Sequence, residues 1–297
     1  MGLIADDVTG ACDSAAPFCG AGPIEVGLWP EVPDAERSAV STETRDADRD
    51  QAAARTEAAA RRYAGRLLYR KLDSLLRGVP VEDVRGLLAA GTSPAVVAPA
   101  LPAEGRITEG GVQRWGAGAV DVRALFLPLG DRVSVRDAGT DADLDRIAAE
   151  ILAVGAVAAG SAGLAAALAR ALRLPPPPAT PSPRCRRPLA VVGTLAAAAQ
   201  GEHARQAGWR VALAGPGAVP PLDGADGLFL TGGETAARCL RRYGARGVHL
   251  VGEPLPRVGY GHLRGGSLDG MPVLLKAGSF GVPSTITQAM NWLAGAG

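Results

Sequence analysis

Two neighbouring aspartates, Asp6 and Asp7, close the first apolar run of the chain, and Val8, Thr9 and Gly10 follow, with Asp13 one turn into the helix expected there. Adjacent carboxylates at the mouth of a buried strand are costly unless they hold a cation, bind hydroxyls or abstract a proton. Helix capping by Asp7 or Thr9 is the competing reading. A second constellation, Lys71-Leu72-Asp73-Ser74-Leu75-Leu76-Arg77-Gly78, follows the run 67–70. Read as a helix capped by Asp73 or Ser74, it sets Ser74 and Arg77 on one side, with Lys71 at the strand exit. Arg77 and Lys71 can then grip a carboxylate while Asp73 accepts hydrogen bonds from hydroxyls. A capped surface helix with an internal ion pair is the plainer alternative. Arg106, behind Gly105 at the end of a loop stiffened by Pro99 and Pro102, is set to present its guanidinium to an anion.

The C-terminal half carries a different chemistry. The run 228–230 leads into Thr231-Gly232-Gly233-Glu234-Thr235 and then a helix. Two glycines before a helix N-terminus let backbone N–H groups converge into a nest of the kind a polyphosphate needs. The run 189–192 ends likewise in Gly193-Thr194, and the run 273–275 in Lys276-Ala277-Gly278-Ser279-Phe280-Gly281. Three such turns in one half of the chain favour a nucleotide site over three separate helix caps. Among 31 basic residues only Lys71 and Lys276 are lysines. That singles both out, because a compact ammonium and a planar guanidinium are not interchangeable at a tight anion site.

Several function classes drop out. Neither lysine sits in a Walker A loop, and with Asn291 as the single asparagine the chain lacks the signature triplets of protein kinases. Gly259 and Gly261 do not open a helix with dinucleotide spacing, so a nicotinamide enzyme is unsupported. His203, His249 and His262 are far apart and give a nucleophilic triad little to draw on. Cys12, Cys19, Cys185 and Cys239 have neither metal-ligand nor redox spacing, so neither a disulfide nor a metal site is expected. A net charge of +1 without basic runs excludes the footprint of a nucleic-acid or membrane-surface binder. A start with neither signal nor transit character implies a cytoplasmic protein, and the default partner is a small molecule. Base rates alone favour an isologous homodimer.

The elements that must position these residues are those of an α/β protein. Short Val/Ala/Leu runs at 67–70, 95–98, 153–159, 189–192, 228–230 and 273–275 alternate with alanine-rich helical stretches such as 148–152 and 164–172, as in parallel βαβ units. Seven of the fifteen residues 174–188 are proline, a stiff connector that cannot be helix or central strand. The expectation is therefore two domains, 1–173 and 189–297, each a mainly parallel sheet flanked by helices, with a linker at 174–188 and a cleft between the domains. Ligands in such sheets sit beyond the carboxyl ends of the strands, where the motifs lie.

Five stretches, 5–11, 71–78, 98–106, 232–235 and 276–281, resemble in order the four-carbon acid sugar kinases, which phosphorylate threonate, erythronate or 3-oxo relatives with ATP. The resemblance implies an acid-sugar-binding N-terminal domain with Asp7, Lys71, Asp73, Ser74, Arg77 and Arg106 at its site. It implies a nucleotide-binding C-terminal domain in which Thr194, Gly232, Gly233, Glu234, Thr235, Lys276 and Gly278 hold ATP with Mg2+. Asp7 is the first choice for orienting or deprotonating the acceptor hydroxyl, with Asp6 or Asp73 behind it. The rival from another class is a nucleotide or sugar-acid binding protein with impaired catalysis. Retention of every charge in the first two motifs speaks against it.

Overall fold

The computed structural model describes every residue except Pro216, Ser279 and Gly297. In chain order it begins β1 (Gly2–Ala5), α1 (Val8–Ala15), β2 (Ile24–Leu28), β3 (Ser38–Ser41), α2 (Arg49–Arg62), β4 (Leu68–Lys71), α3 (Pro80–Ala89) and β5 (Ala95–Ala98). There follow β6 (Ile107–Glu109), β7 (Val112–Trp115), β8 (Gly118–Asp121), α4 (Val122–Phe126), β9 (Val133–Val135), α5 (Asp141–Val154), β10 (Val157–Gly160) and α6 (Ala162–Ala171). The remainder is β11 (Pro188–Val192), α7 (Ala198–Gln206), β12 (Val211–Leu213), β13 (Gly227–Thr231), α8 (Gly233–Arg242), β14 (Gly247–Leu255), β15 (Val258–Arg264), β16 (Pro272–Lys276) and α9 (Thr285–Ala294).

Two compact units result. The first comprises Met1–Asp6 and Val32–Pro175, the second Asp7–Glu31 and everything from Pro176 on. In the first, β3-β1-β4-β10-β5-β9 form a parallel sheet, and β6-β7-β8 a small antiparallel one. Of its parallel strands, β1 and β5 are short and buried at every position, which is why they read as unbroken apolar runs rather than alternating ones. In the second unit β12-β11-β13-β16 are parallel, while β15, β14 and β2 continue the sheet antiparallel.

The sequence reading kept residues 1–173 together, whereas Asp7–Glu31 packs with the C-terminal half. The reason is local: β2 pairs with β14, Val26 facing Val248, and Cys12 of α1 lies so close to Gly259 of β15 that a Cβ there would come within 3.1 Å of the Cys12 Cβ.

The expected strand at 153–159 is also corrected. Residues 153–154 end α5, Gly155 closes that helix in the left-handed conformation, and the strand starts at Val157. The N-terminus of α5 carries a capping box between Thr140 and Asp143, and Ser161 caps α6 through the Gly163 N–H. Each unit has its own core: Leu72, Leu76, Val84, Val97 and Phe126 in the first, and Val192, Phe229, Leu274, Ile286 and Met290 in the second.

The helix expected over 73–77 is absent. Leu72 and Leu76 both turn into the first core, which loops the chain over them and puts Leu76 at φ 57. The helix starts only at Pro80, a residue suited to a first helical position. Among the described residues, no helix is long and apolar enough to cross a membrane.

Candidate functional site

In the first unit, strand register sets Ala5 level with Ser41 on one side and Lys71 on the other. Asp6, the loop 42–45 and the loop 72–78 therefore leave the sheet at one carboxyl edge. Arg45 Nε and Nη2 donate to the two Asp6 oxygens at 2.7 and 3.0 Å, and Nη2 lies 3.6 Å from Asp73 Oδ2. Asp73 also accepts from Arg77 Nε at 3.0 Å, Arg77 Nη2 at 2.6 Å and the Leu75 N–H at 2.9 Å. Arg106 donates to Ser74 Oγ, while Gln113 Nε2 donates to the Ser74 and Pro99 carbonyls at 3.0 and 3.2 Å. Lys71 is 7% exposed, and its ammonium makes no hydrogen bond or contact ion pair among the described residues.

Burial disfavours ionisation of Asp6 and Asp73. For Asp6, Arg45 and then Lys71 more than reverse this, and for Asp73, Arg77, Arg45 and Lys71 do. Both carboxyls are held below the ordinary carboxylate range. Three cations, Arg45, Lys71 and Arg77, thus bear on two committed carboxylates, and among the described residues the Lys71 ammonium has no direct partner.

The depressed values have a consequence for stability. They contribute stability that is present above the unfolded value of about 4 and is lost as pH falls through the folded values. In Arg45→Gln the burial penalty on Asp6 goes unopposed by its main partner. The Tm deficit of that variant is expected to widen as pH rises from about 3 to about 7; a deficit independent of pH would mean that Arg45 acts by packing alone.

Beneath this edge lies a buried ion pair. Arg70, fully buried and on the opposite face of β4 from Lys71, contacts Asp83 of α3 at 2.5 Å. Asp83 Oδ1 also accepts from Thr44 and Thr56, each at 3.4 Å, and the Thr44 N–H donates to the Asp6 carbonyl at 3.0 Å. The pair thereby underpins the loop that carries Arg45. Burial pushes the Asp83 carboxyl up, against the pull of Arg70.

In the second unit, Asp7 caps α1, its Oδ1 accepting the Gly10 N–H at 2.5 Å and the Thr9 hydroxyl at 2.9 Å. The same side chain lies against Gly233, the first residue of α8, where a Cβ would fall 2.5 Å from Asp7 Cγ. Gly232 precedes it at φ 93, and among the described residues no side chain caps α8, which leaves first-turn N–H groups without an intrahelical partner. The loops after β11 and β16 close on the same point. A Cβ on Gly193 would meet Thr235 and one on Gly278 would meet Thr194, and Thr194 itself caps the short turn Leu195–Ala197.

Of the residues singled out from sequence, Asp6, Lys71, Asp73, Ser74, Arg77 and Arg106 gather in the first unit. Asp7 belongs with Thr194, Gly232, Gly233, Thr235 and Gly278 in the second. Glu234 instead pairs with Arg238 at 2.6 Å on the helix surface. Lys276 is fully buried, its ammonium donating to the carbonyls of Ala277, Gly278 and Phe280 at 2.9, 3.4 and 2.7 Å, contacts that tie that loop together. Ser279 lies outside the described residues. Sequence reasoning missed Arg45 and Gln113. Arg45 follows a parallel strand just as the other site residues do, but the strand, Ser38–Ser41, is too short and polar to announce itself.

The candidate site thus comprises a cationic cluster at the edge of one α/β unit and a glycine-rich helix N-terminus, without a side-chain cap among the described residues, in the other. Family models described as a sugar-binding N-terminal domain and a nucleotide-binding C-terminal domain match residues 1–123 and 185–286. A D-threonate kinase of Bordetella bronchiseptica is 30% identical over 97% of this chain and 96% of its own. A crystal structure from the same organism, described as a domain-swapped dimer with bound citrate, is 28% identical, covers 99% of this chain and 98% of its own, and has a TM-score of 0.50. A Haemophilus influenzae protein, 18% identical with 99% of this chain and 100% of its own covered, shares the fold with a TM-score of 0.69. The chain belongs to the four-carbon acid sugar kinase family.

Proposed function

We propose that this chain transfers the γ-phosphoryl group of ATP, taken with Mg2+, to a hydroxyl of a four-carbon acid sugar of the threonate, erythronate or 3-oxo-tetronate type. The observation that carries the reading is the first-unit cluster: Arg45, Lys71 and Arg77 around Asp6 and Asp73, Arg106 on Ser74, and the Lys71 ammonium without hydrogen bond or contact ion pair among the described residues. Such a site suits a substrate with one carboxylate and several hydroxyls. Lys71 and the exposed face of Arg77 take the carboxylate, while Ser74 and Arg106 meet the hydroxyls; Asp73, with both oxygens engaged, holds Arg77 and Arg45 in place. The citrate of the Bordetella structure, itself a hydroxy acid, agrees with this chemistry.

In the second unit the α8 N-terminus, with Gly193, Thr194 and Gly278 beside it, supplies backbone donors for a polyphosphate. Magnesium supplies charge neutralisation between the phosphates. Asp7, lying at the same helix N-terminus, is our choice for the carboxylate that orients or deprotonates the acceptor hydroxyl. Asp6 is not, because both its oxygens are engaged by Arg45.

The test is ADP release with magnesium ATP against threonate and erythronate stereoisomers and their 3-oxo forms. Turnover that depends on one of them is expected. Nucleotide binding with no turnover across the panel would favour a binding protein instead.

A further inference from the structure

Arg257 stands at the tip of the β14–β15 hairpin, where Leu255 pairs with Val258 across Pro256 and Arg257. It has φ 63. Proline followed by a residue of positive φ is the arrangement of a turn that favours glycine at the second place, so arginine there is strained, and strained non-glycine residues concentrate where a side chain has a task. The side chain reaches two elements of the second unit. Its Nη1 is 3.4 Å from Oδ1 of the buried Asp13 on α1, and its guanidinium lies 6.0 Å from the centre of the Phe280 ring, within cation–π range. The Arg257 backbone N–H is fixed by Glu253 Oε1 at 2.8 Å, which holds the turn in place.

Both elements border the nucleotide nest. The helix that carries Asp13 is the one Asp7 caps, with its carboxylate against Gly233. Phe280 belongs to the loop of Gly278, and its carbonyl anchors that loop by accepting from Lys276 at 2.7 Å and from Gln200 at 3.0 Å. A brace between α1 and this loop holds the two sides of the nest in register.

Resting on the kinase reading above, the geometry points to Arg257 as a positioning residue for phosphoryl transfer, tying the Asp7-bearing helix to the Gly278 loop through Asp13 and Phe280. Arg257→Gly separates this role from a structural one, because glycine relieves the strained φ while removing the guanidinium. The variant is expected to remain folded with kcat lowered about 10-fold or more and the Michaelis constant for ATP raised, while that for the acid sugar stays put. Arg257→Lys, which restores a cation opposite Asp13, is expected to recover part of the loss.

If Arg257→Gly is poorly folded, Arg257→Asn serves in its place, since asparagine also tolerates the left-handed region. Values of kcat and of the ATP constant within twofold of the unaltered protein would overturn the assignment. Should the unaltered protein bind ATP but turn over no acid sugar, the kinase reading fails alone, and the ATP dissociation constant of the glycine variant then decides: unchanged overturns the brace, several-fold weaker supports it.

Discussion

Asp7→Asn is expected to lower kcat by about 100-fold or more, the usual contribution of a positioned general base, with both Michaelis constants little changed. Asparagine is as good an N-cap as aspartate and keeps an oxygen to accept the Gly10 N–H and the Thr9 hydroxyl that Asp7 now accepts. The side chain also keeps its size against Gly233, where space is tight. The fold of α1 is therefore retained, and what disappears is the carboxylate charge at the α8 N-terminus. Kinetics and a melting curve on the same preparation separate the two effects. A variant that melts like the unaltered protein and turns over within a few fold of it would remove Asp7 from the chemistry.

Arg70→Met is expected to be the most destabilising of the changes considered, costing about 3–5 kcal/mol, because removing one partner of a buried ion pair strands the other. Asp83, 3% exposed, would keep only the two threonine contacts at 3.4 Å. Its carboxyl is already pushed up by burial, and without Arg70 it takes a proton more readily. A raised folded value means that stability is present at low pH and is lost as pH rises through it, so the deficit grows with pH. Urea unfolding at two pH values measures this. The double change Arg70→Met with Asp83→Leu is expected to recover most of the loss, since an apolar pair can replace a buried ionic one. A single variant losing under about 1 kcal/mol would contradict the role given to the pair. The loss also bears on the site, since Thr44, whose N–H donates to the Asp6 carbonyl, would lose the contact from Arg70 Nη2 at 3.5 Å.

Where burial is two-sided the sequence is legible. Strands such as Ala95–Ala98 and Gly227–Thr231 are apolar at almost every position because both faces are covered, and the glycine pair at 232–233 marks the helix start that it occupies. Legibility ends where tertiary packing overrides local pattern. Residues 72–78 have helical spacing, yet the burial of Leu72 and Leu76 bends them into a loop. The segment Asp7–Glu31 joins the C-terminal unit through the pairing of β2 with β14, a contact across more than two hundred residues of chain that no local signal encodes. The same holds for the chemistry. Lys71, Asp73 and Arg77 stand together in one motif, but Arg45, which engages both carboxylates of that cluster, sits alone in the run 41–45. Lys276 shows the opposite case. Its rarity drew attention, and its ammonium donates to three carbonyls of the loop that follows β16.

The central claim is transfer of phosphate from nucleotide to acid sugar, and it is tested most directly by following label from γ-32P ATP in the presence of the acid sugar that supports ADP release. The label is expected to appear in a phosphorylated four-carbon acid, in step with ADP. Label recovered only as inorganic phosphate, or retained in ATP, would contradict the account.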